Sequence, residues 1–415
     1  MRNKKQMNKL ALQTKLKRLL IAGGLAALVA VPLLSGNAGM RKVDAAQGDV
    51  KINSTNFPDE GFRKYISKNI DRNKDGVLSK AEIKKVTEIK LEHYDETGNE
   101  YVYNDLTGIG VFTELKRLEC ESQKSLSKLD LHKNTKLEFV NCGHNGIKEL
   151  NVSKLTKLKE LSCYDNKLTK LDVSKNVKLE ILTCDSNNLT GLDLRKNTKL
   201  VELYCSSNKL TKLNLTKNTK LHDLWCDSNK LIKLDVSKNT KLSRIVCSSN
   251  KLTKLDVTKN LDLVDLYCDT NKLTKLNVDK NEKLIGLVCS DNKLAQLHLT
   301  NNKQLVKLEC AKNQLTQLDT SHNNALVWVV CTNNRLTKLD FSASPLCNSV
   351  VCNENKLTEI IVPKNMENDR IYYDKNLKVS IKKKTKPVKN GTYFVEDTYN
   401  YPYLSLIHIS EPTRR

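Results

Sequence analysis

Aromatic residues are scarce in this chain, making up 5% of its 415 residues, and hydrophobic residues of all kinds make up 39%. This is little material for one large globular core, although 28% charged residues together with many leucines argue against disorder. Arginine is scarce too, supplying only 12 of the 70 basic residues. Because bidentate contacts to bases and phosphates favour Arg, we expect no nucleic-acid partner despite a formal net charge of +23.

Motifs of catalysis are also missing from the sequence. There is no phosphate-binding loop, no nucleophile motif and no H-E-x-x-H zinc motif, and the seven His residues are scattered. We therefore predict that the chain is not an enzyme. The alternative is a recognition domain of a larger surface enzyme whose catalytic module is lost beyond the present C-terminus.

Long apolar runs are absent except for one near the N-terminus, from Leu19 to Leu34. Seven basic residues and no acidic residue precede this run, and small residues follow it, the order typical of a secretory signal. The run contains Pro32 and is shorter than the roughly 20 residues of a membrane span, which is the alternative. We predict a signal peptide over residues 1–45, a secreted or cell-surface protein, and no transmembrane span in the mature chain.

Cysteine is abundant, and its spacing reveals a repeat. Eleven cysteines recur every 21 residues, and each is followed three residues later by Asn. Within a period, the pattern L-x-x-L-x-(C/L/V)-x-x-N occurs twice, at intervals of 10 and then 11 residues. The pattern resembles the bacterial leucine-rich repeat class with nested half-repeats, over residues 105–366. The repeating cysteines are Cys142, Cys163, Cys184, Cys205, Cys226, Cys247, Cys268, Cys289, Cys310, Cys331 and Cys352.

The half-repeats predict the fold. Alternation such as Leu-x-Cys places side chains on one face of a strand, and no single coil can bury its leucines without its neighbours. We therefore predict a mainly β leucine-rich repeat solenoid with two parallel sheets. Each repeating Cys should point inward as a buried free thiol, since His is not interleaved to support a metal ladder.

A calcium-binding loop precedes the repeats. Residues 71–82, DRNKDGVLSKAE, match D-x-[DN]-x-[DN]-G-x5-E in full and resemble an EF-hand. Apolar residues at helical spacing flank the loop, with Ile83, Val86 and Ile89 on its C-terminal side. We predict a small helical cap over residues 46–104 with structural Ca²⁺, the alternative being an acidic turn without metal. The predicted ligands are Asp71, Asn73, Asp75, Val77, Ser79 and Glu82.

The outward positions of the two half-repeats differ. The Cys strands carry aromatic residues edged with acids, which we interpret as the partner-binding surface: Tyr204, Asp223, Trp225, Val246, Asp265, Tyr267 and Val288. The other half-repeat carries two columns of lysine, interpreted either as a solvated face or as a surface for an anionic cell-wall polymer or glycan. The columns are Lys170, Lys212, Lys233, Lys254 and Lys275, and Lys175, Lys196, Lys217, Lys238, Lys259 and Lys280.

The C-terminal segments continue the repeats only in part. We interpret residues 367–403 as the end of the solenoid and the start of a truncated module. Residues 404–414, LSLIHISEPTR, resemble a translated sequencing adapter, so we interpret residues 404–415 as an artefact.

Together these features predict a protein-interaction or adhesion scaffold of a Gram-positive bacterium, since the segment from Ile52 to Glu82 resembles the leader of surface proteins that carry such repeats. Its partner would be a protein or a glycan bound along the solenoid. A structural wall component without a specific ligand is the remaining alternative.

Overall fold

The structure is a computed structural model and describes residues 48–91, 102–123, 125–376 and 378–384. These residues belong to one compact unit, residues 42–389, while a second unit of residues 1–41 and 390–415 lies outside the described ranges. The predicted signal peptide and the adapter-like segment therefore lie outside the described residues, as does most of the predicted truncated module.

Fourteen parallel strands form the main sheet of the solenoid. From Phe139 onward the strands pair in steps of 21 residues, for example Phe139 with Glu160, whereas the step from Arg117 to Phe139 is 22. The strands are β3 Glu88–Lys90, β4 Arg117–Glu119, β5 Phe139–Asn141, β6 Glu160–Ser162, β7 Ile181–Thr183, β8 Glu202–Tyr204, β9 Asp223–Trp225, β10 Arg244–Val246, β11 Asp265–Tyr267, β12 Gly286–Val288, β13 Lys307–Glu309, β14 Trp328–Val330, β16 Ser349–Val351 and β18 Ile371–Tyr372. The last strand, β18, lies within residues 367–403, where the sequence places the end of the solenoid.

The inward positions of these strands build the core. In β4 to β14 and in β16, the middle residue of the strand and the Cys after the strand are buried, as Leu224 and Cys226 are at 0% exposure. All 13 cysteines are buried and free. Among the described residues, no three His, Cys, Asp or Glu groups are arranged to hold a metal ion. The parallel-sheet leucine-rich repeat solenoid is confirmed.

The second parallel sheet is shorter than predicted and has three strands: β15 Lys338–Asp340, β17 Glu359–Val362 and β19 Ser380–Lys383. In most earlier coils the residue between the two inward positions is Asp or Asn, and its side chain accepts the backbone N–H two residues on, as Asp235 does from Ser237 at 2.9 Å. This contact competes with a ladder. In β17 the equivalent residue is Ile361, and an extended strand forms. Strand β15 pairs with β17 although Asp340 makes the same contact with the N–H of Ser342 at 2.9 Å, so the neighbouring strand also decides where the ladder forms.

Asparagine side chains satisfy the backbone where each coil bends. The amide of Asn229 donates to the carbonyls of Cys205 and Cys226 at 3.0 and 3.2 Å, and its oxygen accepts from the N–H of Leu210 at 2.9 Å. The same contacts recur from coil to coil. The residue preceding each such Asn has a positive φ, 54° at Ser228, although it is not glycine.

A small cap precedes the solenoid. Helix α1 (Glu60–Asn69) and helix α2 (Lys80–Lys85) flank the predicted calcium loop, and strands β1 (Val50–Lys51) and β2 (Val77–Leu78) pair antiparallel. The helical cap is consistent with the prediction, but α2 ends at Lys85. Ile89, predicted to continue this helix, lies in β3 instead and is buried in the solenoid core. Its burial against the next coil outweighs the helical spacing.

No helix among the described residues has both the length and the apolar character needed to cross a membrane.

Candidate functional site

The main sheet presents the predicted aromatic residues outward. Tyr204, Trp225, Val246 and Tyr267 are all half-buried, each at the last position of its strand. We call the outward side chains of β8 to β12 the aromatic face: Glu202, Tyr204, Asp223, Trp225, Arg244, Val246, Asp265, Tyr267 and Val288, with Gly286 between them.

Acidic neighbours hold two of the aromatic rings in place. The Tyr204 hydroxyl donates to Glu202 at 2.9 Å, and the Trp225 indole N–H donates to Asp223 at 2.8 Å. The rings of Tyr204 and Trp225 also pack edge to face, with centroids 5.7 Å apart. The face is therefore pre-organised, since little rotamer freedom remains to be lost when a partner binds.

Arg244 bridges the acids of neighbouring strands. Its Nη1 lies 3.5 Å from Asp223 Oδ2, and its Nε lies 3.3 Å from Asp265 Oδ2. Burial raises the pKa of both carboxyls, and the Arg244 guanidinium offsets part of that rise. The arginine side chain itself is 44% exposed, so its charge remains available at the surface.

Two members of the predicted surface are less accessible than the sequence suggested. Asp265 is 4% exposed and Val288 is 6% exposed, so neither offers much contact area. The Lys307 ammonium lies 5.8 Å from the centre of the Tyr267 ring, two strands away, and its stem therefore crosses β12. The Asp265 carboxylate occupies the space that a Cβ atom at position 286 would need, which is free because residue 286 is glycine.

A row of acids borders the aromatic face at the residue after each Cys. Asp185, Asp227 and Asp269 alternate there with serines. Burial raises the pKa of Asp269, and it raises that of Asp185 to about 6, with the negative charge of Asp227 contributing for Asp185. We call these three residues the acidic stripe. With the acids of the aromatic face they make this surface negative within a basic chain.

The lysine columns lie on the other half of each coil. All eleven lysines are exposed, and none lies within salt-bridge distance of a carboxylate in the part of the chain that the structure describes. The Asp and Asn residues between the columns accept backbone N–H groups of their own turns, as Asp172 does from Ser174 at 2.9 Å. The columns therefore remain a solvated positive surface.

The predicted calcium loop has the backbone geometry of a tight oxygen-lined turn. Lys74 and Gly76 have positive φ angles of 59° and 77°, and the N–H of Gly76 donates to Asp71 Oδ2 at 3.0 Å. Asp75 Oδ1 accepts from the N–H of Val77 at 2.8 Å. Glu82 caps its own helix through the N–H and hydroxyl of Ser79, at 2.9 and 2.8 Å.

By the type of donor atom these residues suit a calcium ion, but Asp71, Asp75 and Glu82 are not gathered into a group that could hold a metal ion in this structure. All six predicted ligands offer oxygen atoms, which is what Ca²⁺ prefers. Asp71 is 3% exposed, and its Oδ1 is buried without a hydrogen-bond partner, which leaves one acceptor available to a cation.

Solved structures of other bacterial proteins are similar to this chain. A domain of InlJ from Listeria monocytogenes is 31% identical, with a TM-score of 0.60 over 78% of this chain and 84% of that chain. An internalin, inlF, from Listeria monocytogenes is 20% identical, with a TM-score of 0.64 over 74% of this chain and 93% of that chain. The leucine-rich repeat protein LIC12759 from Leptospira interrogans is 20% identical, with a TM-score of 0.56 over 68% and 82% of the two chains. No protein-family model and no curated protein matches the chain.

The InlJ domain is described as including a cysteine ladder. The buried, regularly spaced cysteines of this chain form the same kind of feature.

Sequence reasoning missed two residues at the edge of this surface, Gly286 in β12 and Lys307 in β13. They depart from the Glu, Asp or Arg that occupies the first outward position in β8 to β11. Comparing the repeats column by column would have singled them out, although their effect on Asp265 depends on side-chain conformation.

Proposed function

The chain belongs to the bacterial leucine-rich repeat family that includes InlJ of Listeria monocytogenes, and from this premise we propose a specific function. It is a secreted or cell-surface scaffold of a Gram-positive bacterium that binds a protein or glycan partner along the aromatic face. A role in adhesion follows from that location, and the described chain carries out no catalysis of its own.

One observation carries this proposal. Three aromatic rings lie half-buried on the outward sheet surface within four successive coils, and two of them are fixed by hydrogen bonds to adjacent acids. The core does not need these rings, because leucines and cysteines fill it. Fixed aromatic side chains on a rigid repeat surface are typical of binding hot spots.

Replacing the aromatic anchors tests the proposal. We expect Trp225→Ala and Tyr267→Ala each to weaken partner binding by about 1–3 kcal/mol, as central aromatic anchors do. Binding is measured on a glycan array and on immobilised extracellular proteins. Tyr372→Ala is the matched control, because Tyr372 is an exposed aromatic residue of the same sheet outside the aromatic face. An unchanged binding profile in the Trp225/Tyr267 double variant would contradict the proposal.

We further propose that the loop of residues 71–82 binds one structural Ca²⁺ through Asp71, Asn73, Asp75, Val77, Ser79 and Glu82. The buried, unpartnered Oδ1 of Asp71 supports this. A single loop of this kind binds in the millimolar range of extracellular modules. Because β1 pairs with the loop strand β2, the ion would stabilise the cap at the N-terminal end of the solenoid.

Calcium should raise the melting temperature of the purified protein, because a ligand bound only by the folded state stabilises it, by about 1.4 kcal/mol at a tenfold excess over Kd. The Asp71→Asn/Glu82→Gln variant should lose this gain, whereas Glu60→Gln, on the exposed surface of α1, should keep it. A calorimetric titration of the unaltered protein that shows no binding at millimolar calcium would contradict the assignment.

The lysine columns support a second partner, an anionic cell-wall polymer. The supporting observation is that their eleven ammonium groups are exposed and, within the described ranges, unpaired with carboxylates. Such a surface attracts polyanions without requiring specific contacts.

A further inference from the structure

The outward surface from β7 to β13 is negative although the chain as a whole has a formal net charge of +23. Seven carboxylates lie here against two bases. The carboxylates belong to Asp185, Glu202, Asp223, Asp227, Asp265, Asp269 and Glu309, and the bases are Arg244 and Lys307. A partner with complementary charge must present positive groups to this surface.

One of these carboxylates is buried and incompletely paired. Asp265 is 4% exposed; its Oδ2 receives the Nε of Arg244 at 3.3 Å, but its Oδ1 has no hydrogen-bond partner. An acceptor left unsatisfied in a buried position is costly, and native proteins keep few of them. The missing component is a donor, preferably a positively charged one.

The unpartnered oxygen fills the space that Gly286 leaves in the sheet surface, and the atom is buried there. A Cβ atom at Gly286 would lie 2.5 Å from Asp265 Oδ1 and 3.7 Å from the Tyr267 hydroxyl. Oδ1 therefore lies above β12, at the position that a side chain occupies on each neighbouring strand. We call Asp265, Tyr267, Gly286 and Lys307 the Gly286 notch.

The notch already accommodates an ammonium group of the protein itself. Lys307 Nζ lies 5.8 Å from the centre of the Tyr267 ring and 2.9 Å from Glu309 Oε1. An aromatic ring and carboxylates around one cation are the surroundings that favour amine recognition. Lys307 nevertheless leaves Asp265 Oδ1 without a donor.

We propose that the Gly286 notch binds a lysine or arginine side chain of a protein partner. The incoming cation displaces the Lys307 stem that covers this place, donates to Asp265 Oδ1 and lies against the Tyr267 ring. This inference rests on the proposed function, because it specifies the chemistry of the partner that the aromatic face binds. The carboxylates of the surface disfavour an anionic glycan at this position.

Peptide binding to the full chain tests the inference. The probes are a lysine-rich peptide, the same peptide with every lysine acetylated, and a chitosan oligosaccharide as an amine-bearing glycan. The readout is tryptophan fluorescence, since the only two Trp residues, Trp225 and Trp328, both lie on the outward side of this sheet. We expect the acetylated peptide to bind at least about tenfold more weakly, because acetylation removes the charge.

Variants of the notch residues provide a second test of the inference. Asp265→Asn should weaken binding of the lysine-rich peptide about tenfold, and Gly286→Ala should weaken it as well, because the added Cβ displaces the Asp265 carboxylate. Asp172→Asn and Gly191→Ala are the controls, since Asp172 is exposed and a Cβ at Gly191 meets nothing within 4 Å. Circular dichroism verifies folding, and the acetylation comparison needs no variant.

Three results would overturn the inference: equal binding of the acetylated peptide, unchanged binding in a folded Asp265→Asn variant, or binding of chitosan without binding of the peptide. If the Trp225→Ala/Tyr267→Ala variant loses partner binding while one of these three results is obtained, the proposed function stands and only the role of the Gly286 notch is excluded. A double variant that keeps all partner binding instead overturns the proposed function.

Discussion

Aspartates of the same solenoid differ in what surrounds them. The exposed Asp172 accepts a hydrogen bond from the N–H of Ser174, and this bond is the main cause that lowers its pKa. Asp185 is partly buried beside Asp227, and burial raises its pKa to about 6 although it accepts the N–H of Ser206 at 2.7 Å. The protonation of each residue is therefore set by its column in the repeat.

The raised pKa of Asp185 makes stability depend on pH. The folded state holds a proton between the unfolded pKa of about 3.9 and the folded value of about 6, so stability falls as pH rises through this window and levels off above it. Asp185→Asn removes the decline and should stabilise the protein at pH 7 by on the order of 2 kcal/mol, with little effect at pH 4.

Urea denaturation of the protein and the variant from pH 4 to pH 8 measures this difference. Asp172→Asn is the control and should not stabilise the protein at pH 7, because the pKa of Asp172 is lowered. Parallel stability curves for Asp185→Asn and the unaltered protein would show that ionisation of Asp185 does not destabilise the folded protein.

At the scale of elements, each short strand separates an inner from an outer surface. The middle residue and the following Cys point inward, while the first and last residues of the strand point outward. Parallel pairing in constant register repeats this arrangement, so identical positions stack in columns. The cysteines form one such column inside the solenoid.

The position of the cysteine column predicts slow thiol chemistry. Burial raises the pKa of Cys142 and Cys310 to about 12, and thiolates are the reactive form. We expect Cys163 to Cys331 to react with a thiol reagent only after denaturation, whereas Thr253→Cys, at an exposed position, should add one rapidly labelled thiol. Fast labelling of most native cysteines would reverse the assignment of inside and outside.

At the scale of the whole solenoid, charge is segregated between the two halves of each coil. Acids gather around the aromatic face, and unpaired lysines occupy the other half-repeat. The two proposed partners, a basic protein and an anionic polymer, would therefore bind at different places on the molecule.

The lysine columns should bind polyanions in a salt-dependent way. Binding of purified teichoic acid should fall steeply with ionic strength, because exposed charges are screened by salt. Single Lys→Ala changes should have small effects, whereas replacing Lys212, Lys233, Lys254 and Lys275 together by Glu should abolish binding.

Trp225→Ala is the control for this measurement, since it leaves both lysine columns unchanged and lies in the other half-repeat. Binding that does not respond to salt, or that survives the fourfold charge reversal, would remove the lysine columns from the interaction.

The interior of the solenoid could be predicted from sequence because it depends on a local pattern repeated many times. Alternation within one strand identifies Leu224 and Cys226 as inward, and stacking at a constant period brings every copy into the same place. The asparagine contacts were predictable for the same reason. The extent of the second sheet was not, because a strand there needs a neighbouring strand such as β17 to pair with.

The sequence by itself determined the repeat, the fold class, the burial of the cysteines and the columns in which the outward residues lie. Only the tertiary structure decided which of those residues remain accessible. Asp265 is buried because Gly286, 21 residues later, leaves room for its carboxylate, and because Lys307, another 21 residues on, crosses the same place. Contacts between coils depend on the size and conformation of particular side chains, which no period in the sequence specifies.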